Sequence, residues 1–457
     1  MTLTDVVNFG DDAEPDPRPP EFTDEALALR FAEQHADDLR YIAAWSKWLR
    51  WDGNRWLFDD TLHFFDLARR VCREASSECN NSRTAAALAS SKTVAAVVTL
   101  ARADRRLAAS VDQWDADPWL LNTPAGIIDL HTGKIRALRP DAYMTKITSV
   151  TPRPMPIPTW LGFLDRVMKG DAELIAFMQR LAGYSLTGST REHAMAFLYG
   201  TGSNGKTTFL NAVAGCMGDY HRTAPIETFT ASKSDRHPTD LAGLRGARLV
   251  TATETEEGRG WAESKIKTLT GGDRIPARFM RQDFFEYAPQ FKLVIAGNHK
   301  PSLRTVDEAI RRRFNLVPFT VTIAGEERDH ELDTKLKNEW PGILHWMVQG
   351  CLEWLRIGLA APPVVTEATD AYLEAQDAFS AWINDRCERD DTGWTSTAEL
   401  FASWKAWAER AGERPSDHKQ FRERLEARGI FRKREPGTGR NGYVGLKVID
   451  WLGRDGT

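Results

Sequence analysis

The stretch Gly200-Thr201-Gly202-Ser203-Asn204-Gly205-Lys206-Thr207 combines a glycine-rich turn with a lysine and a hydroxyl at its end. This is the G-x-x-x-x-G-K-T spacing that cradles the phosphates of a nucleotide. The glycines let backbone amides wrap phosphate oxygens, and the start of a helix favours anions. Lys206 reaches the β- and γ-phosphates, and the Thr207 hydroxyl ligates Mg²⁺. Gly200, Gly202, Ser203, Asn204, Gly205, Lys206, Thr207 and Thr208 are therefore the expected contacts to ATP, with ATP and Mg²⁺ as cofactors. A fortuitous glycine turn is the competing reading. It is the weaker one, because the apolar run Ala194 to Tyr199 leads in as a strand and Phe209 to Val213 leads out as a helix.

Three more groups of residues fit the same chemistry. The strand candidate Arg248 to Thr253 ends at Glu254, where a carboxylate can hold Mg²⁺ through water and polarise the attacking water. A third strand, Phe291 to Gly297, ends at Asn298, placed to orient water against the γ-phosphate. Arg311-Arg312-Arg313 precede the apolar strand Phe314 to Phe319. An arginine inserted from a neighbouring subunit would stabilise charge on the transferring phosphoryl group and require an oligomer.

These residues need strands that end together and helices that begin beside them, which implies an α/β core. The 457 residues leave room for about three domains. Residues 10–25 hold seven acidic residues and four prolines, so 1–25 is expected to be a flexible acidic tail. Residues 26–150 read as an accessory region, mainly helical, with a hairpin at Asp52-Gly53-Asn54 flanked by Trp45, Trp48, Trp51 and Trp56. Those tryptophans are expected mainly as core, with base stacking as the sharper alternative. The proline-rich joint Pro152 to Pro158 reads as a linker into the α/β core at 151–330, followed by a helical connector at 331–375 and a basic module at 376–457.

No uncharged apolar run approaches the roughly 18 residues of a membrane span. The five cysteines are odd in number and scattered, so no membrane association is expected and a reducing cytoplasm fits, that of a bacterial host if the gene is phage-borne. Sixty Lys and Arg against 64 Asp and Glu give a net charge of −4, so any nucleic-acid binding must come from local basic patches.

The spacing from Gly200 to Phe319 resembles superfamily 3 helicases of the AAA+ class. More closely, the chain resembles the C-terminal portion of phage and plasmid replicative primase-helicases, a group that includes the poxvirus helicase-primase. The likeness rests on Gly200 to Phe209, Glu254-Thr255-Glu256-Glu257-Gly258, Leu269 to Asp273, Asn298-His299-Lys300-Pro301 and Asp307 through Phe319. It extends upstream to Asp117-Pro118-Trp119-Leu120-Leu121-Asn122 and Trp48 to Gly53. The resemblance implies Lys206 and Thr207 as phosphate and Mg²⁺ positions, Glu254 as the acidic strand end, Asn298 as sensor, and Arg312 and Arg313 as the pair containing the finger. Thr255 departs from relatives that carry a second acid there. No zinc-ligand pattern or separate acidic pair marks a primase, so unwinding without priming is expected, with a separate primase or polymerase as partner.

Between Thr270 and Phe291 the alternation fits a β-hairpin, which in such relatives lines a central pore. Arg278 and Arg281 would contact phosphates there, and Phe279 or Phe284 could stack bases. At the C-terminus, helix, helix, strand, glycine-rich turn and strand follow the order of a winged helix, and residues 404–447 carry twelve Lys and Arg against six Asp and Glu. Lys419, Arg422 and Arg424 would lie on its recognition helix and Arg440 in the wing. The expected activity is that of an ATP-dependent DNA helicase, a homo-oligomeric and hexameric ring acting on single-stranded and duplex DNA. The alternative is an ATP-switched initiator or loader that assembles on duplex DNA without unwinding it.

Overall fold

The computed structural model describes residues 18–231, 239–253, 260–278, 284–303, 306–411, 415–426, 428–435 and 439–449. Its centre is a five-stranded parallel sheet of β1 (Met195–Tyr199), β2 (His221–Thr223), β3 (Leu249–Thr253), β4 (Lys292–Gly297) and β5 (Phe314–Pro318), in the spatial order β5-β1-β4-β3-β2. Sequences such as Met-Ala-Phe-Leu-Tyr and Lys-Leu-Val-Ile-Ala-Gly are apolar at nearly every position because both faces of a parallel sheet are covered. Alternate residues feed two cores: Ala196, Leu198, Val294 and Ala296 face one, and Met195, Phe197, Leu293 and Ile295 face the other.

The first core is built by helices α1 (Pro158–Val167), α2 (Ala172–Ser185), α3 (Lys206–Met217) and α6 (Leu332–Ile357). The second holds α4 (Glu263–Gly271) and the short α5 (Glu308–Arg311). Helix α6 corrects the reading of 331–375 as a connector. Its Ile343, Leu344, Met347, Cys351 and Trp354 are buried, and it lies against α2 so closely that a Cβ on Gly350 would fall 2.1 Å from the Gln179 carbonyl oxygen. The proline-rich joint is not a free linker either. The Arg153 amide donates to the Pro341 carbonyl at 2.9 Å, and Met155 and Ile157 fill the space over Gly342.

Residues 26–150 do not share one core. The helices Asp24–His35, His63–Glu78 and Ser91–Ala101 bury Leu27, Phe31, Val71 and Val97 together with Trp48, whereas Trp56 packs with Trp114. The strands Leu120–Thr123, Gly126–Asp129 and Lys134–Arg136 instead send Leu121 and Ile128 into the first core of the parallel sheet. Buried Asn122 stitches the two parts, its side-chain amide donating to the carbonyls of Asn54 and Lys146 at 2.9 and 3.0 Å. The expected tail lies mostly outside the described residues, and its last two positions, Asp24 and Glu25, open a helix capped by Thr23.

The C-terminal part has its own core of Phe379, Trp382, Leu400, Trp404, Phe421 and Tyr443. Helices Ala378–Arg386, Thr397–Arg410 and His418–Glu426 pack on an antiparallel sheet whose strands run Cys387–Ser396, Asn441–Val448, Arg432–Arg434 across it. Among the described residues no single helix is long and apolar enough to cross a membrane.

Candidate functional site

Parallel pairing brings the C-terminal ends of three strands together. Tyr199 of β1 is paired with Gly297 of β4, and Thr253 of β3 with Ala296. The glycine-rich turn leaves β1 and enters α3, whose first residue is Lys206, while Asn298 leaves β4 beside it. Open α/β sheets bind ligands outside these strand ends. Glu254 follows β3 directly in sequence and lies outside the described residues.

Lys206 is buried, and its ammonium donates to the Gly200 carbonyl at 2.6 Å, to Asn204 Oδ1 at 3.0 Å and to Asn298 Oδ1 at 3.1 Å. Burial pushes its pKa below the ordinary lysine value. Among the described residues the cation thus sits against neutral oxygens, and an arriving phosphate would supply counter-charge. The N-terminus of α3 has no side-chain cap, which leaves its first amides open to an anion. Thr207 is exposed on that first turn and Thr208 is half-buried.

Asn204 has a different job. It is 3% exposed, and its amide donates to the Phe319 carbonyl at 3.0 Å, tying the turn to the chain beyond β5. Gly200 makes that approach possible, since a Cβ there would fall 2.0 Å from the same carbonyl oxygen. Gly205 has φ +88° and leaves no room against Val167 and Phe163. Gly200→Ala is therefore expected to cost about 1–3 kcal/mol of stability through overpacking and to distort the turn, read as a lowered melting temperature and the loss of any shift on adding Mg-ATP.

Beside the turn lies a cavity of about 670 Å³. Helix α1 contributes Phe163 and Val167, the turn contributes Ser203, Gly205 and Thr208, and the segment after β5 contributes Ile323, Arg328, His330 and Leu332. The Ile323 amide donates to the Ser203 carbonyl at 2.8 Å, and Arg328 donates to Ser203 Oγ at 2.5 Å. Glu339 of α6 holds α1 in place by accepting from the Thr159 and Trp160 amides at 2.9 and 2.8 Å. Sequence reading missed this wall, because 323–332 has no motif and its proximity to Ser203 is a tertiary fact.

The arginine pair separates into two environments. Arg313 is buried, with Nε donating to Thr270 Oγ1 at 3.1 Å and Nη1 to the Ala309 carbonyl at 2.7 Å, and burial with the neighbouring Arg312 lowers its pKa. Bonded inside its own fold, Arg313 is less available to a neighbour than Arg312. Arg312 is exposed. Both precede β5, at the opposite end of the sheet from Lys206, since Phe314 pairs with Met195 and Pro318 with Tyr199.

The hairpin expected after Thr270 is present: Ile275–Ala277 pairs antiparallel with Phe285–Tyr287. Residues 279–283, Phe279 and Arg281 among them, lie outside the described residues. Arg278 is half-buried, its guanidinium 4.6 Å from the centroid of the exposed Phe284 ring. On α4, Lys267 pairs with Asp307 at 2.5 Å. In the C-terminal part, Lys419 is exposed, Arg422 lies 3.8 Å from Glu426, and Arg440 is exposed in the turn before Asn441–Val448. Arg424 departs from a DNA-facing placement, because its guanidinium lies over Phe379 of the local core at 5.7 Å. The strand expected before the glycine-rich turn is the edge strand Arg432–Arg434, whose three cations are exposed together with Phe431 just before it.

Comparison with known proteins identifies two matched segments. Residues 28–169 match a family described as D5 N terminal like, and residues 198–313 match a family of unknown function, DUF5906. The chain is 24% identical over 320 residues to "Putative helicase L207/L206" of Acanthamoeba polyphaga mimivirus, covering 64% of this chain and 33% of that protein. It is 24% identical over 273 residues to "Putative helicase 022R" of Frog virus 3 (isolate Goorha), covering 55% and 28%. The chain therefore spans about a third of the length of these curated relatives. Among solved structures, the apo NrS-1 C-terminal region aligns over 92% of this chain and 99% of that one, with a TM-score of 0.52 at 11% identity. A second apo structure of that region aligns over 93% and 99%, with a TM-score of 0.51 at 12% identity. These likenesses show a shared fold.

Proposed function

We propose that this chain, which belongs with the C-terminal portion of phage primase-helicases, is an ATP-driven DNA helicase working as a ring of identical copies. The observation that carries this reading is the Lys206 ammonium, held between the glycine-rich turn and Asn298 at the converging strand ends. A P-loop core of the AAA+ superfamily 3 type is the reading this arrangement supports. The turn amides and Lys206 would hold the β- and γ-phosphates, and Thr207 with Glu254 would hold Mg²⁺. Asn298 would orient the attacking water, and the cavity walled by Phe163, Val167, Ile323 and Leu332 would take the base and ribose. Mg²⁺ supplies charge neutralisation at the phosphates when bound.

The position of Arg312 supports a ring. Five residues of β5, or roughly 16 Å at about 3.3 Å each, separate its end of the sheet from the chain's own phosphate site, so only a neighbour's nucleotide is within its reach. The hairpin carrying Arg278 would grip the translocating strand, and the C-terminal part would act as a winged-helix module on duplex DNA through Lys419, Arg422, Arg440 and the edge strand Arg432–Arg434. Phosphate release from Mg-ATP, stimulated by single-stranded DNA, together with strand separation on a forked duplex, tests the reading. A protein that neither binds nor hydrolyses ATP overturns it. Arg278→Ala is expected to reduce strand separation roughly tenfold while the oligomer persists, in line with about 1–3 kcal/mol per stacking or cation–π contact on a single strand.

The second reading, an ATP-switched initiator on duplex DNA, is favoured by the exposed basic edge strand at 431–434. Removing residues 376–457 separates the two. A motor keeps DNA-stimulated ATP hydrolysis, whereas an initiator loses specific duplex binding altogether.

A further inference from the structure

We propose that single-stranded DNA leaving the hairpin runs onto the N-terminal three-stranded sheet, where Trp45 and Phe58 stack its bases and Arg245, Arg222 and Lys146 hold its phosphates. This track rests on the motor reading and extends it to a region that reading leaves without a task.

Most of the N-terminal aromatics are accounted for as core. Trp48, Trp56 and Trp114 are buried. Trp45 and Phe58 are more open: Phe58 is 52% exposed, Trp45 is half-buried, and their rings lie 5.7 Å apart. A ring pair of this size left at the surface costs hydrophobic stabilisation that burial would return, unless something covers it in use.

The cover is indicated by what adjoins it. The Arg245 guanidinium lies 5.1 Å from the Trp45 ring and 5.4 Å from the ring of Phe285 in the hairpin strand, so one cation joins the two surfaces. The next residue toward the tip is the exposed Phe284, with Arg278 over its ring. Two guanidiniums and four rings thus lie between Arg278 of the hairpin and Phe58 of the sheet, the composition of a single-strand stacking platform.

A cationic seam runs alongside. Lys146 reaches within 3.3 Å of the Cβ position at Gly246, the neighbour of Arg245, and its charge is opposed first by burial and then, beyond the favourable Asp115, by Arg222, Arg55 and Arg245. Lys146 makes no ion pair among the described residues; Asp115 acts on it, and Asp112 and Asp115 act on Arg245. Arg55 is already paired with Asp219 and Asp52, whereas Arg222 is exposed and, among the described residues, donates to the His221 carbonyl. The exposed Arg222 favours a polyanion, and the aromatic neighbours favour one with unpaired bases over a duplex or an acidic peptide.

The test measures binding of the full chain to a fluorescent oligothymidine by anisotropy across a salt series. Trp45→Ala and Phe58→Ala should each weaken binding about tenfold, with Trp45→Phe restoring most of it. Arg222→Gln and Lys146→Gln should each lower the slope of log affinity against log salt by about 0.7, the single-strand value per phosphate contact. Phe58→Ala removes a surface ring, so its melting temperature should match that of the wild type and keep the binding result interpretable. If the wild type binds no single strand, the motor reading fails. If the wild type binds and Arg278→Ala weakens binding while Trp45→Ala and Phe58→Ala do not, the track alone is overturned. A change in sedimentation of Trp45→Ala without a change in affinity also overturns it, assigning the patch to subunit contact.

Discussion

Lys206→Ala should lower ATP turnover by at least about a hundredfold, the cost of removing one preorganised electrostatic contact to a transferring group. The wild-type cation is buried at an energetic cost and touches the Gly200 carbonyl, Asn204 and Asn298. Removing it leaves three acceptors but no orphaned charge, so the fold should survive with a loss of about 1–3 kcal/mol. Asn204 keeps its bond to the Phe319 carbonyl, so the turn remains anchored. Phosphate release and binding of a fluorescent ATP analogue measure the effect, and Lys206→Met controls for volume. Turnover at the wild-type level would mean that the glycine-rich turn is a structural corner.

The second large effect separates two adjacent arginines. Arg312→Ala should lower turnover roughly a thousandfold with ATP binding intact, as expected when a finger is lost. Arg313→Ala should instead reduce stability by about 1–3 kcal/mol, since it leaves Thr270 and the Ala309 carbonyl without their donor in a buried site. Its melting temperature should fall, and any loss of turnover should follow the loss of folded protein. Arg313→Lys separates charge from geometry, because an ammonium cannot make both of these bonds in the planar arrangement of a guanidinium.

The parts of this site that were legible in sequence are local. The glycine-rich turn, its strand and its helix occupy one short run, so the motif itself places Lys206 at a helix start. The ends of β3 and β4 were also readable, because parallel strands buried on both faces appear as continuous apolar runs. What sequence could not supply is pairing. Asn298 is 92 residues from Lys206, and only strand order brings its amide oxygen to the ammonium. Arg312 and Arg313 are equivalent in sequence, and burial of one against Thr270 distinguishes them.

Other elements were disguised by composition. The strand Cys387–Ser396 has no counterpart in the sequence reading: it carries four acidic or basic residues in a row and shifts register between Asp390 and Trp394. Helix α6 looked like a connector because Pro341 interrupts its pattern, yet the proline carbonyl is taken by the Arg153 amide and the helix continues through it. The N-terminal tryptophans divide into core and surface only when the sheet pairing is known, since Trp48 and Trp45 are three residues apart and differ in which surface they meet.

The most direct test of hydrolysis at a shared interface mixes two inactive proteins. Lys206→Ala and Arg312→Ala chains, combined in equal amounts and allowed to exchange subunits, form some interfaces in which an intact Lys206 site faces an intact Arg312. Random exchange should restore roughly a quarter of wild-type ATP turnover, since one in about four neighbouring pairs has that arrangement in a head-to-tail ring. A mixture no more active than its two components, with exchange shown by labelled subunits, would refute catalysis in trans and with it the ring motor.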